Sequence, residues 1–160
     1  MALNNKTKDK YRRVIRIIMI VLAVMLLVMG LVVPMVNNAV AMKVARDMKA
    51  LSLPADTEII ESTSLAGRFN NAAGSVQYFA ALLIRSNRPI EELRAHYAAY
   101  NEELLVTYRV ELQRGQEITV LGDANLAFRE TVGEDGYYIV YTIRTGDNAL
   151  QWWLDMDVRG

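Results

Sequence analysis

The pattern of hydrophobic residues divides the chain into two parts. From Val14 to Val33 the residues are almost all apolar, and Arg16 is the one charged residue in that run. A helix of roughly 20 apolar residues is long enough to cross the hydrocarbon layer, and a helix satisfies its own backbone polar groups there. We therefore predict a transmembrane helix over 14–33, with the lipid bilayer as its partner, after a cytoplasmic basic tail over 1–13.

A second helical pattern follows the apolar run over residues 34–53. Val36, Val40, Val44 and Met48 recur at every fourth position, and polar residues fall between them. This spacing is typical of an amphipathic helix, so we predict a juxtamembrane helix that continues the span. Its apolar stripe has two interpretations: it lies against the membrane or the rest of the chain, or it is an interaction surface for a partner protein.

Residues 54–160, which we call the head, carry mainly strand patterns. The strand-like runs are 57–69, 76–86, 105–113, 117–121, 126–131, 137–145 and 152–158. A helix pattern begins at Asn87-Arg88-Pro89, where Asn and Pro suit a helix start, and it extends to Leu104. The run 76–86 is apolar on both faces and is expected at the centre of the sheet. The order predicts an α+β fold, a small, mostly antiparallel sheet with one packed helix.

Basic residues are more numerous before the span than after it. Six lie before it or at its entry, and three follow its exit: Lys6, Lys8, Lys10, Arg12, Arg13 and Arg16, then Lys43, Arg46 and Lys49. The positive-inside rule therefore places the N-terminus in the cytoplasm and the head outside, on a single-pass protein of the cell membrane. The sequence Ala39-Val40-Ala41 fits a signal-peptidase site, so the alternative is a head secreted after cleavage near Ala41.

Charge and cysteine content exclude several function classes. Beyond Lys49 the chain has nine arginines, no lysine and sixteen acidic residues, about −7 by simple counting. An acidic head is a poor candidate for binding nucleic acid. The chain has no cysteine, which excludes disulfides, thiolate catalysis and zinc–thiolate sites.

Candidate chemistry is sparse. His96, the one histidine, lies at the edge of the apolar stripe of the predicted helix and has no second polar group at a set spacing. Asp155 and Asp157 share one face of the last predicted strand with Trp153 and Arg159. This face is either solvated, with Arg159 as an ion-pair partner, or an ion site. Trp153 is the expected exposed anchor of an interaction surface. We find no catalytic constellation and predict no cofactor or metal site.

These observations favour a single-pass membrane protein whose head is a non-catalytic binding module for a protein or envelope component. The first alternative is a regulatory or sensory subunit of a membrane complex, paired through the span and the stripe of the juxtamembrane helix. The second alternative is a small envelope hydrolase that uses Asp155 and Asp157.

Overall fold

The computed structural model describes residues 5–69, 75–104, 106–122, 124–133, 135–146 and 155. The helices are α1 (Asn5–Leu27), α2 (Val33–Lys49) and α3 (Ile90–Leu104), and a π-helical turn, Val28–Val32, joins α1 to α2. The strands are β1 (Thr57–Gly67), β2 (Gln77–Ser86), β3 (Arg109–Leu112) and β4 (Tyr137–Thr145). A short 3₁₀ turn, Thr119–Leu121, lies between β3 and β4.

Within these ranges the four strands form one antiparallel sheet in the order β1-β2-β4-β3. The predicted α+β fold is confirmed, and so are the antiparallel sheet and the central position of β2. The side chains of β2 alternate between two apolar layers: Tyr78, Ala80, Leu82 and Ile84 belong to one layer, and Phe79, Ala81 and Leu83 to the other. Both layers exclude water from β2, which explains its apolar character on both faces.

Two helices cover one face of the sheet, whereas the sequence predicted one. Leu93 and Tyr97, in the apolar stripe of α3, are buried there. Val44 and Met48 of α2 belong to the same apolar cluster, so α2 is part of the core of the head. The sequence pattern identified the apolar stripe of α2 but could not show that the sheet covers it.

The opposite face of the sheet is covered by irregular chain between β3 and β4. Ile118, Leu121 and Phe128 are buried there against Phe79 and Leu83 of β2. The strands predicted over 117–121 and 126–131 are wrong: the structure has the 3₁₀ turn and an isolated bridge between Glu117 and Ala127. The buried Ile118 and Leu121 are three residues apart, the spacing that one 3₁₀ turn brings to the same side.

The third predicted strand, 105–113, is shorter in the structure, where β3 has four residues. Its alternation fails at the end, because Leu112 is exposed and Gln113 is buried. The amide of Gln113 donates hydrogen bonds to the carbonyls of Gly115 (2.9 Å) and Glu117 (2.8 Å). These bonds satisfy the buried amide and turn the chain out of the strand direction.

The two methionines of α2 provide a matched test of this packing, because Met48 is fully buried and Met42 is 59% exposed. Met48→Ala should lower the free energy of unfolding by about 2–5 kcal/mol, through lost apolar contacts and a cavity. Met42→Ala should change it by no more than about 0.5 kcal/mol. Urea unfolding of the full-length protein in detergent micelles would measure both. Equal effects would show that α2 is not part of the core.

Candidate functional site

The N-terminal helix has an exposed apolar surface along the predicted span. Its helical course over Lys8–Lys49 includes a segment that is long and apolar enough to cross a membrane. Between Val14 and Val32 the large exposed apolar side chains are Val14, Ile15, Ile17, Ile18, Met19, Ile20, Val21, Leu22, Val24, Met25, Leu26, Leu27, Leu31 and Val32. At 1.5 Å per residue this segment is about 28 Å long, close to the thickness of a hydrocarbon core. A helix apolar around its circumference is suited to lipid on all sides.

The π-helical turn explains how this helix passes Pro34 without a break. Proline has no N–H, and in a regular helix its ring would clash with the carbonyl four residues earlier, that of Gly30. In the structure the N–H of Val33 bonds to the carbonyl of Val28, one residue further back than in an α-helix. The wider turn accommodates the proline and keeps the span and α2 in one continuous helix.

The predicted interaction stripe of α2 is divided between the core and the surface. Val44 and Met48 are buried, and Val40 is partly buried against the same cluster. Val36 is exposed. The interpretation that the stripe lies against the chain itself therefore holds for Val44 and Met48, which are inaccessible to a partner, and in part for Val40.

Asn37 is a buried polar residue that the sequence analysis missed. It is fully buried on the sheet side of α2, and its Oδ1 accepts a hydrogen bond of 3.0 Å from the hydroxyl of Tyr78 at the start of β2. The sequence does contain a signal for this burial, because Asn37 precedes Ala41, Val44 and Met48, all buried, at helical steps of four and three. By its residue type Asn37 counted only as one of the polar residues between the stripe positions, so its burial was not predicted.

The contacts of α2 and its following loop fix the direction of the helix along the sheet. At one end Asn37 contacts Tyr78, the second residue of β2. At the other end the carbonyl of Ala55 accepts a hydrogen bond of 3.1 Å from Nε of Arg88, just after β2. Therefore α2 and β2 run in the same direction. The start of β2 lies near the predicted span, and its end lies far from it.

His96 connects α3 to the chain that follows α2. Its Nε2 lies 2.8 Å from the carbonyl oxygen of Ser52, and its ring packs edge-on against Tyr97 and Tyr100. The hydroxyls of Ser52 and Tyr100 are 2.5 Å apart and form a second link between the same segments. These contacts support a structural role for His96 in holding the two helices together.

Asp155 is the described member of the predicted acidic surface, and it lies in a turn, where a strand was predicted. Its Oδ1 accepts a hydrogen bond of 2.8 Å from the N–H of Val76, and its carbonyl accepts one of 2.7 Å from Arg68. Asp155 thus bonds to one residue on each side of the connection between β1 and β2, Arg68 and Val76. The other predicted members, Trp153, Asp157 and Arg159, lie outside the described residues.

A polar groove runs beside β1, at the edge of the sheet. Glu61 lies at a bulge of β1, and its Oε2 accepts hydrogen bonds from the N–H groups of Arg129 (2.8 Å) and Glu130 (3.0 Å). The groove is lined by Lys49, Glu61, Ser62, Thr63, Leu126, Ala127, Arg129 and Glu130. No local sequence pattern indicates this groove, because its walls lie far apart in the chain.

Two buried tyrosines have raised pKa values. Burial raises the pKa of Tyr97 to about 12, and its hydroxyl has no hydrogen-bond partner among the residues that the structure describes. Burial, and then the hydrogen bond to Glu111, raise the pKa of Tyr141. Over the described ranges, no group of three or more His, Asp or Glu side chains is arranged to hold a metal ion.

Comparisons with known proteins found no matching family model, no matching curated protein and no matching solved structure.

The raised pKa of Tyr97 predicts a loss of stability in alkali. The unfolded chain loses the phenolic proton near pH 10, whereas the folded chain keeps it to about pH 12, so this contribution is fully present below pH 10 and is lost as the pH rises toward 12. Tyr97→Phe should therefore become more stable relative to the wild type as the pH rises from 9 to 11. Urea unfolding in micelles at several pH values would measure this.

Tyr138→Phe is the control, because the Tyr138 hydroxyl donates to the carbonyl of Arg88 at 3.1 Å. Loss of this hydrogen bond should lower the free energy of unfolding by about 1 kcal/mol at neutral pH. A Tyr97→Phe variant whose stability relative to the wild type does not change with pH would contradict the raised pKa of Tyr97.

Proposed function

We propose that this is a single-pass membrane protein whose head is a non-catalytic binding module outside the cytoplasm, for a protein or envelope component. The observation that carries the proposal is one continuous helix. Over Val14–Val32 it exposes apolar side chains, and from Val33 onward one side of it is buried in the head. Such a helix would hold the head at the bilayer surface.

The burial of α2 also favours an anchor that is retained. Cleavage near Ala41 would remove Val33 and Asn37, which are fully buried, and with Asn37 its hydrogen bond to Tyr78. Ala41 itself is 1% exposed. A secreted head would therefore lack part of its core. The excess of basic residues before the span supports a cytoplasmic N-terminus.

A binding role, rather than catalysis, is supported by the contacts of the polar candidates. Asp155 accepts the N–H of Val76, His96 contacts the carbonyl of Ser52, and Glu61 accepts two backbone N–H groups. In each case the polar group bridges separate segments of the chain. The acidic character of the head disfavours nucleic acid and suits a neutral or basic partner surface.

The absence of cysteine in the chain makes the orientation directly testable. Asn87→Cys, on the exposed connection after β2, should react with a membrane-impermeant maleimide in intact cells. Lys8→Cys should react after permeabilisation and not before. Labelling of both variants can be read by mass shift on a gel. The reverse pattern would place the head in the cytoplasm and overturn the proposal.

A second candidate, a regulatory or sensory subunit of a membrane complex, is favoured by the same continuous helix. Because α2 is part of the core of the head, a rotation or shift of the span would act directly on the sheet. The π-helical turn lies at the junction, and such turns are frequent at functional sites. A partner would have to contact the side of the helix that the sheet leaves open.

Met35, which is 70% exposed on that side, is the position at which to test for a partner. A photo-crosslinking residue at Met35 should give a single specific adduct with one membrane protein if the chain is a subunit of a complex. The same residue at Asn87, far from the membrane, is the control. The absence of a specific adduct from Met35 would favour the first proposal over the second.

A further inference from the structure

We propose that the near end of the head rests on the phospholipid headgroups, so that the bilayer surface is a second contact of the head besides the span. We call this end the proximal rim, and define it by Arg68, Val76, Gln77 and Thr145. The inference rests on the proposed membrane anchor. It adds that the head does not stand away from the bilayer on a free stalk.

The first step is the position at which the helix becomes buried. Val33 is the last residue of the predicted span, and it is also fully buried, as the first residue of α2. Pro34 is buried as well. No length of exposed helix therefore separates the apolar segment from the head.

The rim lies about one helical turn beyond Val33, at the level of Asn37. Asn37 lies four residues beyond Val33, which is about 6 Å along a helix axis. It bonds to Tyr78, and Gln77, next to Tyr78, pairs with Thr145 across the sheet. Paired strands are about 5 Å apart. The rim therefore lies at the level of Asn37, within the headgroup layer, which is about 5–7 Å deep on each side of the core.

The third step is the outer side of α2, which continues the apolar surface of the span. Leu31, Met35 and Met42 are more than half exposed and follow one another at helical steps of four and seven. Because Met35 lies only two residues beyond Val33, acyl chains or the adjoining headgroup layer would cover it. Lipid contact at this level brings the rim, on the other side of the same helix, to the membrane surface.

Charge alone would not produce this contact. The head is acidic, and an acidic surface is repelled by anionic lipid. The continuous helix imposes the contact. The guanidinium group of the exposed Arg68 donates one hydrogen bond to the carbonyl of Asp155 and has further N–H groups for the phosphates. The contact should therefore form on zwitterionic bilayers as well as on anionic ones.

The opposite end of the sheet supplies an internal reference. Asn87 follows the end of β2, nine residues beyond Tyr78, and strand geometry places it about 30 Å further along the sheet. Asn87 and Thr145 are both exposed, as is Leu22 on the span. A single cysteine at each position can be introduced without removing buried contacts.

The experiment uses full-length Leu22→Cys, Thr145→Cys and Asn87→Cys variants with a nitroxide label, in vesicles of phosphatidylcholine alone and with phosphatidylglycerol. Power-saturation EPR measures collisions of each label with oxygen, which concentrates in the bilayer, and with a water-soluble nickel chelate. Crowding around the label lowers both collision rates, so the ratio of the oxygen rate to the nickel rate removes its effect. We expect the oxygen-to-nickel ratio to be highest at Leu22. At Thr145 it should be several-fold above the bulk-water value, and at Asn87 it should equal the bulk-water value. The same order is expected in both lipid compositions.

Each other outcome has a separate meaning. A lipid-like ratio at Leu22 with equal, water-like ratios at Thr145 and Asn87 would overturn the rim contact and leave the anchor intact. A water-like ratio at Leu22 would overturn the anchor itself. A raised ratio at Thr145 that requires phosphatidylglycerol would show adsorption driven by charge, and would overturn contact imposed by the helix.

Discussion

The burial of α2 against β1 and β2 is the contact on which the rest of the architecture depends. Val44 and Met48 complete the apolar layer that β2 and α3 begin, and the same helix leads without a break into the apolar segment. The helix that carries the apolar segment is thus packed into the same core as the sheet. A fragment that begins at Pro54, after the helix, would lose one wall of its core and expose the apolar face of β2 to water.

One polar pair gives this apolar contact a defined register. Asn37 and Tyr78 are both nearly inaccessible to water, so sliding α2 along the sheet by one turn would leave Asn37 without the Tyr78 hydroxyl in a region of low dielectric. Apolar side chains tolerate small shifts, whereas a buried amide and hydroxyl do not. The pair therefore fixes how far the head lies from the end of the apolar segment.

The features that could be predicted from the sequence are those set by local spacing. The length of the apolar segment, the two apolar faces of β2 and the stripe of α3 each follow from residues close together in the chain. The chain between β3 and β4 could not be predicted, because Ile118 and Phe128 are held by Phe79 and Leu83, which are distant in sequence. The role of Asn37 was missed for a related reason, since its polarity suggested solvent and its burial depends on Tyr78.

In the bilayer that we propose for this protein, neighbouring molecules would diffuse in two dimensions with their heads aligned, and the outer edges of their β1 strands could meet. An edge strand of eleven residues invites pairing with the same strand of a neighbouring molecule. Here the bulge at Ile59 and Glu61 interrupts the regular edge, and the Glu61 carboxylate draws the 129–130 segment toward it. Both features disfavour edge-to-edge pairing between the sheets of neighbouring molecules.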